Sequence, residues 1–280
     1  MNAPSAGRVP THVQGIGPML GRIAAVTGNT LREAGRNRIF YGLLVVAGVM
    51  ILGSMVLSDL ALVDQKARLV QDFGLFVIPL LTVLTAVVLG VVLLQKEIEQ
   101  KTLYAILPKP VRRSEFLIGK FLGLASLLAV QMVVLSVCWS GVLALRGGEV
   151  TPPVLVALGL SYVEIVLVTA IATFFSALSS PILSGVLTTG LFAIGRIAYV
   201  LTDLLAAKKG IFVEVPAMRA FGKVLVTVVP DLSTFNISDE VLLGWAVPSG
   251  YVWAAVGYGL AWTVVFLVLG VLVFERRDLT

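Results

Sequence analysis

Six long apolar runs dominate this sequence and limit what it can fold into. Each is close to or longer than the roughly 20 residues that a helix needs to cross about 30 Å of hydrocarbon. They cover residues 39–58, 73–94, 121–145, 154–178, 182–204 and 252–274. Because an isolated strand cannot satisfy its backbone hydrogen bonds in lipid, the runs predict six transmembrane helices and an all-α integral membrane protein.

The composition excludes several other classes of protein. Charged residues make up 13% of the chain, against about 25% in a typical soluble domain. The one cysteine, Cys138, lies in an apolar run, and the one histidine, His12, lies near the N-terminus. We therefore expect no disulfide framework, no metal site and no directly bound cofactor. The net charge of +5 comes from basic residues at the ends of apolar runs, so it does not predict nucleic-acid binding.

The distribution of Lys and Arg predicts the orientation in the membrane. With the N-terminus inside, the cytoplasmic segments hold 13 of these residues and the short outer loops hold 3. Cytoplasmic loops carry the excess of basic residues, and long loops count for little in this rule. We therefore predict that both termini are cytoplasmic in a multi-pass protein of a prokaryotic inner membrane.

The segment before the first run predicts a separate helix. Residues 1–15 are expected to form a disordered tail, and residues 16–38 an amphipathic helix ahead of the membrane domain, 39–280. The apolar stripe of this helix consists of Ile16, Met19, Leu20, Ile23, Val26 and Thr30. Arg22 and Glu33 fall on another face. The pattern favours a helix in the inner membrane interface, and the alternative is a cytoplasmic helix packed on a partner.

A charged island separates the second and third apolar runs. Residues 97–107 predict a short helix with Leu103, Ile106 and Leu107 on one face. Pro108 and Pro110 end this helix. A soluble partner could grip such a helix and tilt both adjoining spans. The alternative is a solvated loop with basic anchors at the membrane surface.

The island also carries a recognisable pattern. Its residues follow E-x-E-x-x-T-L, L-x-x-P-x-x-R and G-K, formed by Glu97, Glu99, Thr102, Leu103, Leu107, Pro110, Arg113, Gly119 and Lys120. The pattern resembles the signature of ABC-2-type transporter permeases, with Lys101 and Arg112 where that family usually has Gly and Ser. A second stretch, 230–236, resembles the P-x-L-x-x-F-N of the branch that includes copper-enzyme-maturation permeases.

The resemblance implies a six-helix permease that works as a dimer with two copies of a cytoplasmic ATPase. The ATPase would bind the coupling helix, 97–107, and would carry the ATP and Mg²⁺. Leu103, Ile106 and Leu107 would be the contacts and Glu97 and Glu99 the polar anchors, while Thr102, Pro110 and Arg113 would shape the elbow. The chain contains no G-x-x-x-x-G-K-[ST] motif, so we do not expect it to hydrolyse ATP itself.

Two charged residues lie inside predicted spans, where ionisable groups are candidates for function. Glu164 lies in the fourth span, and Arg196 lies about 12 Å deep in the fifth. We predict an ion pair that fixes the packing of the two spans. The alternative is a substrate pathway, as in a secondary transporter or channel. An intramembrane enzyme would need a nucleophile–base pair or a metal cluster, and the sequence offers neither.

The segment 205–251 is too long for a simple turn. We expect short helices or strands at the outer leaflet, either re-entrant elements that cap a dimer interface or a surface for an extracytoplasmic partner. Export is favoured over import, because no feature points to a binding-protein-dependent importer. The residues do not identify a substrate.

Overall fold

The structure, a computed structural model, describes residues 16–62, 65–99, 112–207 and 215–276. Within these ranges every regular element is helical. The helices are α1 (Ile16–Gly35), α2 (Arg38–Asp59), α3 (Lys66–Glu99), α4 (Arg113–Leu145), α5 (Pro152–Leu178), α6 (Pro181–Arg196), α7 (Ala198–Ala206), α8 (Pro216–Val228), α9 (Ser238–Leu243) and α10 (Ser249–Arg276). A 3-10 turn, Ser233–Phe235, lies between α8 and α9. The predicted tail, residues 1–15, lies outside the described ranges.

Five of these helices are long and apolar enough to cross a membrane, namely α2, α3, α4, α5 and α10. The pair α6 and α7 passes the same test when taken together, but its two axes meet at 51°. The prediction of an all-α integral membrane protein is confirmed. The span predicted over residues 182–204 coincides with this bent pair, which gives a sixth span if the two helices cross together.

The segment 205–251, called the outer loop below, contacts the bend between α6 and α7. In a continuous helix the Gly195 carbonyl would accept the amide of residue 199; here it accepts an N–H from Leu232 at 3.0 Å. A Cβ at Gly195 would lie 2.7 Å from the Pro230 carbonyl oxygen, so glycine permits this close approach. The depth of about 12 Å predicted for Arg196 counts the residues of α7, which lie beyond this break.

The helices α3 and α4 extend well beyond the apolar runs within them. They contain 34 and 33 residues, which is about 50 Å each at 1.5 Å per residue. Since the hydrocarbon core is about 30 Å thick, turns at their ends project from it. α4 begins at Arg113, two turns before the apolar run that starts at residue 121. In the predicted orientation these turns stand on the cytoplasmic side.

The core is built around α5, which packs against α3, α4, α6 and α10. Small residues bring these helices close together. A Cβ at Gly90 of α3 would lie 2.9 Å from the Cβ of Ala172 on α5. Near the other end of α3, the indole of Trp139 from α4 occupies the space above Gly74 and donates its Nε1–H to the Val70 carbonyl at 2.9 Å.

The outer loop consists of helical pieces, so of the two expected forms the described residues show helices. Residues 208–214 lie outside the described ranges. The 230–236 stretch is drawn into the core, where Leu232 and Phe235 are fully buried. The Asp231 carboxylate accepts hydrogen bonds from the amide and hydroxyl of Ser233, and the Tyr258 hydroxyl accepts the Asp231 amide at 2.8 Å. The bond to Tyr258 ties the loop to α10.

The helix α1 packs against α4 of the same chain. Met19 and Leu20 of the predicted apolar stripe remain exposed. Val26 and Thr30 of the same stripe meet α4, together with Arg22 and Glu33, so the two predicted faces are not separate. The predicted partner for a packed helix is thus present within the chain itself. A location of the exposed side in the membrane interface stays a prediction.

Candidate functional site

The predicted coupling segment, residues 97–107, lies mostly outside the described ranges, which stop at residue 99 and resume at 112. The positions outside include Thr102, Leu103, Ile106, Leu107 and Pro110. α3 runs through Glu99 without a break, so Glu97 and Glu99 continue the second span rather than open a separate helix. The structure therefore defines the two ends between which the coupling segment lies.

The upstream end is held by a buried amide. Gln95 of α3 is 4% exposed and donates from Nε2 to the carbonyls of Ser176 and Ser179 at 2.8 and 2.5 Å. These carbonyls belong to the last turn of α5 and the turn that follows, where helices leave carbonyls without partners. The Ser176 hydroxyl in turn donates to the Gly90 carbonyl at 3.3 Å. α3 is thus tied to the α5–α6 turn just before the coupling segment begins.

The downstream end is held by the first residues of α4. Nη1 of Arg113 donates to the carbonyls of Phe274 and Glu275 at 3.3 and 3.1 Å, in the final turn of α10. A guanidinium suits this position because the C-terminal end of a helix carries partial negative charge. The Glu115 carboxylate accepts the Arg112 amide at 3.2 Å and so caps α4. Arg113, predicted to shape the elbow, therefore joins α4 to α10.

Two ion pairs join the same turns of α4 to α1. Glu115 is 1% exposed and accepts from Nε and Nη2 of Arg22 at 2.7 and 2.6 Å. Its hydrogen bond raises the pKa of Arg22 above the ordinary value, so this guanidinium stays charged. Nζ of Lys120 lies 3.0 Å from the Glu33 carboxylate. Sequence reasoning missed both pairs, although it placed Arg22 and Glu33 on one face of α1.

Two glycines of α4, Gly119 and Gly123, explain how α1 comes so close to α4. A Cβ at Gly119 would lie 2.7 Å from the Cβ of Val26, and a Cβ at Gly123 would lie 2.6 Å from the Cβ of Thr30. The G-x-x-x-G spacing places both glycines on one face, where small residues let helices approach. The helix that approaches α4 at these glycines is the N-terminal helix, α1.

The predicted intramembrane ion pair is also present. Both carboxylate oxygens of Glu164 on α5 lie 3.0 Å from Nη1 of Arg196 at the end of α6. The side chain of Glu164 is 1% exposed and that of Arg196 is 32% exposed. Arg196 stands at the bend before α7, next to Gly195, where the outer loop crosses. The pair therefore joins two consecutive helices beside the anchored 230–236 stretch.

The end of the bundle opposite the coupling segment has its own polar contacts. Asp59 of α2 accepts from Arg146 at 2.6 Å and from Lys66 at 3.2 Å, which holds the outer ends of α2, α3 and α4 together. The guanidinium of Arg68 donates to the Leu242 carbonyl at the end of α9. The outer basic residues that entered the orientation argument are therefore engaged in local contacts.

An apolar groove of about 500 Å³ lies between α4 and α5, lined by Met132, Trp139, Leu158 and Tyr162 among others. Its size falls within the range of about 300–1,000 Å³ seen for ligand sites. In the part of the chain that the structure describes, His, Cys, Asp and Glu side chains do not gather in threes.

Comparison with known proteins agrees with this architecture. A family model described as "ABC-2 family transporter protein" matches residues 24–279, which includes all the contacts at the coupling segment except the Arg22 side of one ion pair. No curated protein matches the sequence. Members of the matched family are membrane permease subunits of ABC transporters and lack their own ATPase. The chain therefore belongs to the ABC-2 family of transporter proteins.

Proposed function

We propose that this chain is the permease subunit of an ABC exporter in the cytoplasmic membrane of a prokaryote. Two copies of a separate ATPase subunit, which bind ATP and Mg²⁺, dock on the coupling segments of two permease copies. The permeases form a homodimer or a related heterodimer, and both termini of each face the cytoplasm. When ATP closes the two ATPases, they pull on residues 97–107 and shift the spans.

The observation that carries this proposal is the anchoring on both sides of the coupling segment. Gln95 ties the helix that enters the segment to the α5–α6 turn, and Arg113 ties the helix that leaves it to α10. A solvated loop needs no such anchors. A segment that receives force needs them, because motion reaches distant helices only through packed and hydrogen-bonded contacts.

The anchors also define a route across the membrane. Motion of α3 at Gln95 reaches the end of α5 and the start of α6. Twelve residues before Ser176, α5 carries Glu164, which is paired with Arg196 at the far end of α6. The outer loop is hydrogen-bonded at Gly195 beside this pair. A shift at the cytoplasmic turn can therefore reach the outer loop along α5 and α6, which this ion pair joins.

The direct test is the interaction with the ATPase. Permease and the ATPase encoded nearest to it are co-expressed, purified in mild detergent and scored for stoichiometry and ATP turnover. Leu103→Asp places a charge on the proposed contact face. We expect two copies of each chain in the wild-type complex and loss of stimulated turnover in the variant. A variant with normal ATPase binding and normal turnover would contradict the proposed contact face.

A secondary transporter or channel is the second candidate function. The observation in its favour is the Glu164–Arg196 pair itself, since buried charges in membrane proteins often mark ion or substrate pathways. In that case transport would follow an ion gradient, and it would continue in vesicles without ATP. ATP-independent uptake that is lost in Glu164→Gln would support this candidate over the ABC permease.

A further inference from the structure

The helices α1 and α4 pack in the same direction and in one constant register. The contacting pairs are Arg22 with Glu115, Val26 with Gly119, and Thr30 with Gly123. Each residue of α4 stands 93 positions after its partner in α1. A constant offset over two helical turns means that the two helices run side by side rather than cross at a point.

Buried charges fix this register. Glu115 is 1% exposed and the Lys120 side chain is 3% exposed, so a slide of α1 along α4 would draw each of these buried charges away from its partner on α1. The order of the signs is opposite on the two helices, with Arg22 before Glu33 on α1 and Glu115 before Lys120 on α4. Removing one partner of a buried ion pair is strongly unfavourable, and a displaced α1 would break both pairs at once.

The paired region stands at a mechanical junction. α4 begins at Arg113, shortly after the coupling segment, residues 97–107, and Glu115 lies in its first turn. α1 ends at Gly35 and α2 begins at Arg38, with the Asn37 side chain capping the new helix by accepting the Ile39 amide at 2.9 Å. α1 is therefore bonded through the chain to the first span and through side chains to the coupling elbow.

We propose that α1 and the first turns of α4 move as one body, and that this body carries motion of the coupling segment to α2. Arg22 and Glu33 are positioning residues that act by holding α1 on α4. The inference rests on the proposed function, since it requires an ATPase that pulls on residues 97–107. It adds a route to the first span beside the Gln95 route to α5 and α6.

A reversible covalent bond can replace the ion pairs and so test the idea. In a Cys138→Ser background, Val26→Cys and Gly119→Cys place two thiols where α1 touches α4. A Cβ at position 119 would lie 2.7 Å from that of Val26, so the helices must separate by about 1 Å to reach the usual disulfide spacing of about 3.8 Å. The same protein is then assayed oxidised and reduced, with and without Arg22→Ala and Glu33→Ala.

The assay uses the full permease–ATPase complex in lipid nanodiscs and compares ATP turnover with that of the ATPase subunit alone. We expect Arg22→Ala with Glu33→Ala to lower permease-dependent turnover by at least about threefold, within the range seen for residues that carry coupling, while bound ATPase per permease stays constant. Oxidation should restore turnover to at least about half the wild-type value. Lys66→Ala, which breaks an exposed ion pair at the other end of the bundle, is the control and should leave turnover unchanged.

Three results would overturn the inference while the proposed function stands. Wild-type turnover in reduced Arg22→Ala with Glu33→Ala would show that the pairs have no coupling role. Failure of the disulfide to restore turnover would show that they do not act by joining α1 to α4. The disulfide is also formed in the protein that keeps both ion pairs, so this measurement does not depend on how well the chain tolerates their loss. Inhibition of that protein by oxidation would show that the helices separate during the cycle. A wild-type chain that binds no ATPase would overturn the proposed function first and this inference with it.

Discussion

Glu164, in the middle of α5, and Arg196, at the end of α6, join two consecutive membrane helices, with both carboxylate oxygens 3.0 Å from Nη1 of the guanidinium. The carboxylate is fully enclosed, whereas the guanidinium is about a third exposed, at 32%. The Glu164 side of the pair is therefore buried on α5, whereas the Arg196 side lies at the bend after α6, next to the outer loop. This asymmetry makes its energetic role testable one residue at a time.

Glu164→Arg should destabilise the protein far more than an exposed charge change. The substitution places two like charges against each other at a buried site, and loss of one partner of a buried pair costs about 3–5 kcal/mol. The double variant Glu164→Arg with Arg196→Glu should recover more than half of that loss. Thermal unfolding in detergent measures both effects, and Lys66→Glu at the exposed outer pair serves as the control, with an expected change of about 1 kcal/mol or less.

The pairing itself is contradicted if the double variant is no more stable than Glu164→Arg alone. If stability is recovered but transport is not, the residues also contact the substrate. If both recover, the pair serves to hold α5 and α6 together.

Gln95→Leu should separate ATPase binding from turnover. The change leaves the carbonyls of Ser176 and Ser179 without their donor, and buried unsatisfied groups cost about 1–3 kcal/mol each. We expect the variant to retain the ATPase but to show reduced permease-dependent turnover, because α3 no longer grips the α5–α6 turn. ATP hydrolysis and co-purified ATPase are measured on the same sample.

Gln131→Leu is the matched control for Gln95→Leu. Gln131 is also a fully buried amide, but it donates to Thr85 Oγ1 at 3.0 Å in the middle of the bundle, and its Oε1 has no partner among the described residues. Loss of this amide should leave coupling intact. Equal loss of turnover in both variants would mean that the effect of Gln95 is general destabilisation.

Gly195→Ala and Gly190→Ala should change stability in opposite directions. A Cβ at Gly195 would lie 2.7 Å from the Pro230 carbonyl oxygen and 2.8 Å from Leu232, and such overpacking costs about 1–3 kcal/mol. A Cβ at Gly190 would meet nothing within 4 Å, so alanine there should gain up to about 1 kcal/mol of helix propensity. Both are read from thermal unfolding midpoints, and the outer loop is monitored by limited proteolysis.

If Gly195→Ala unfolds at the wild-type temperature and its outer loop resists protease as before, the loop is not held at this bend. The same glycine also explains why sequence reasoning missed the break. Residues 182–204 contain no proline that would predict a break, and the contact that accompanies the bend is a hydrogen bond from Leu232, more than thirty positions away.

Features that depend on local pattern could be predicted from the sequence. Apolar length predicted the spans, and the position of Glu164 and Arg196 in consecutive spans predicted their ion pair. The family resemblance predicted membership, now supported by the match over residues 24–279. In each case the information lies in one segment or in two segments joined by a short turn.

Features that depend on which helices become neighbours could not be predicted. Arg22 and Glu115 are 93 positions apart, and Gln95 bonds to carbonyls 81 and 84 positions later. A polar residue on an amphipathic helix usually faces water, so Arg22 and Glu33 gave no sign that they face α4. The one available signal was Gly119 and Gly123, which indicated a close neighbour without identifying it.

Co-purification of the permease with the ATPase encoded nearest to it, with and without Leu103→Asp, tests directly whether the ATPase docks on the coupling segment. We expect a complex with two copies of each chain and permease-dependent ATP turnover. Leu103→Asp should abolish both the complex and this turnover while the permease remains in the membrane. A permease that purifies alone under conditions that preserve other ABC complexes would contradict the proposed docking.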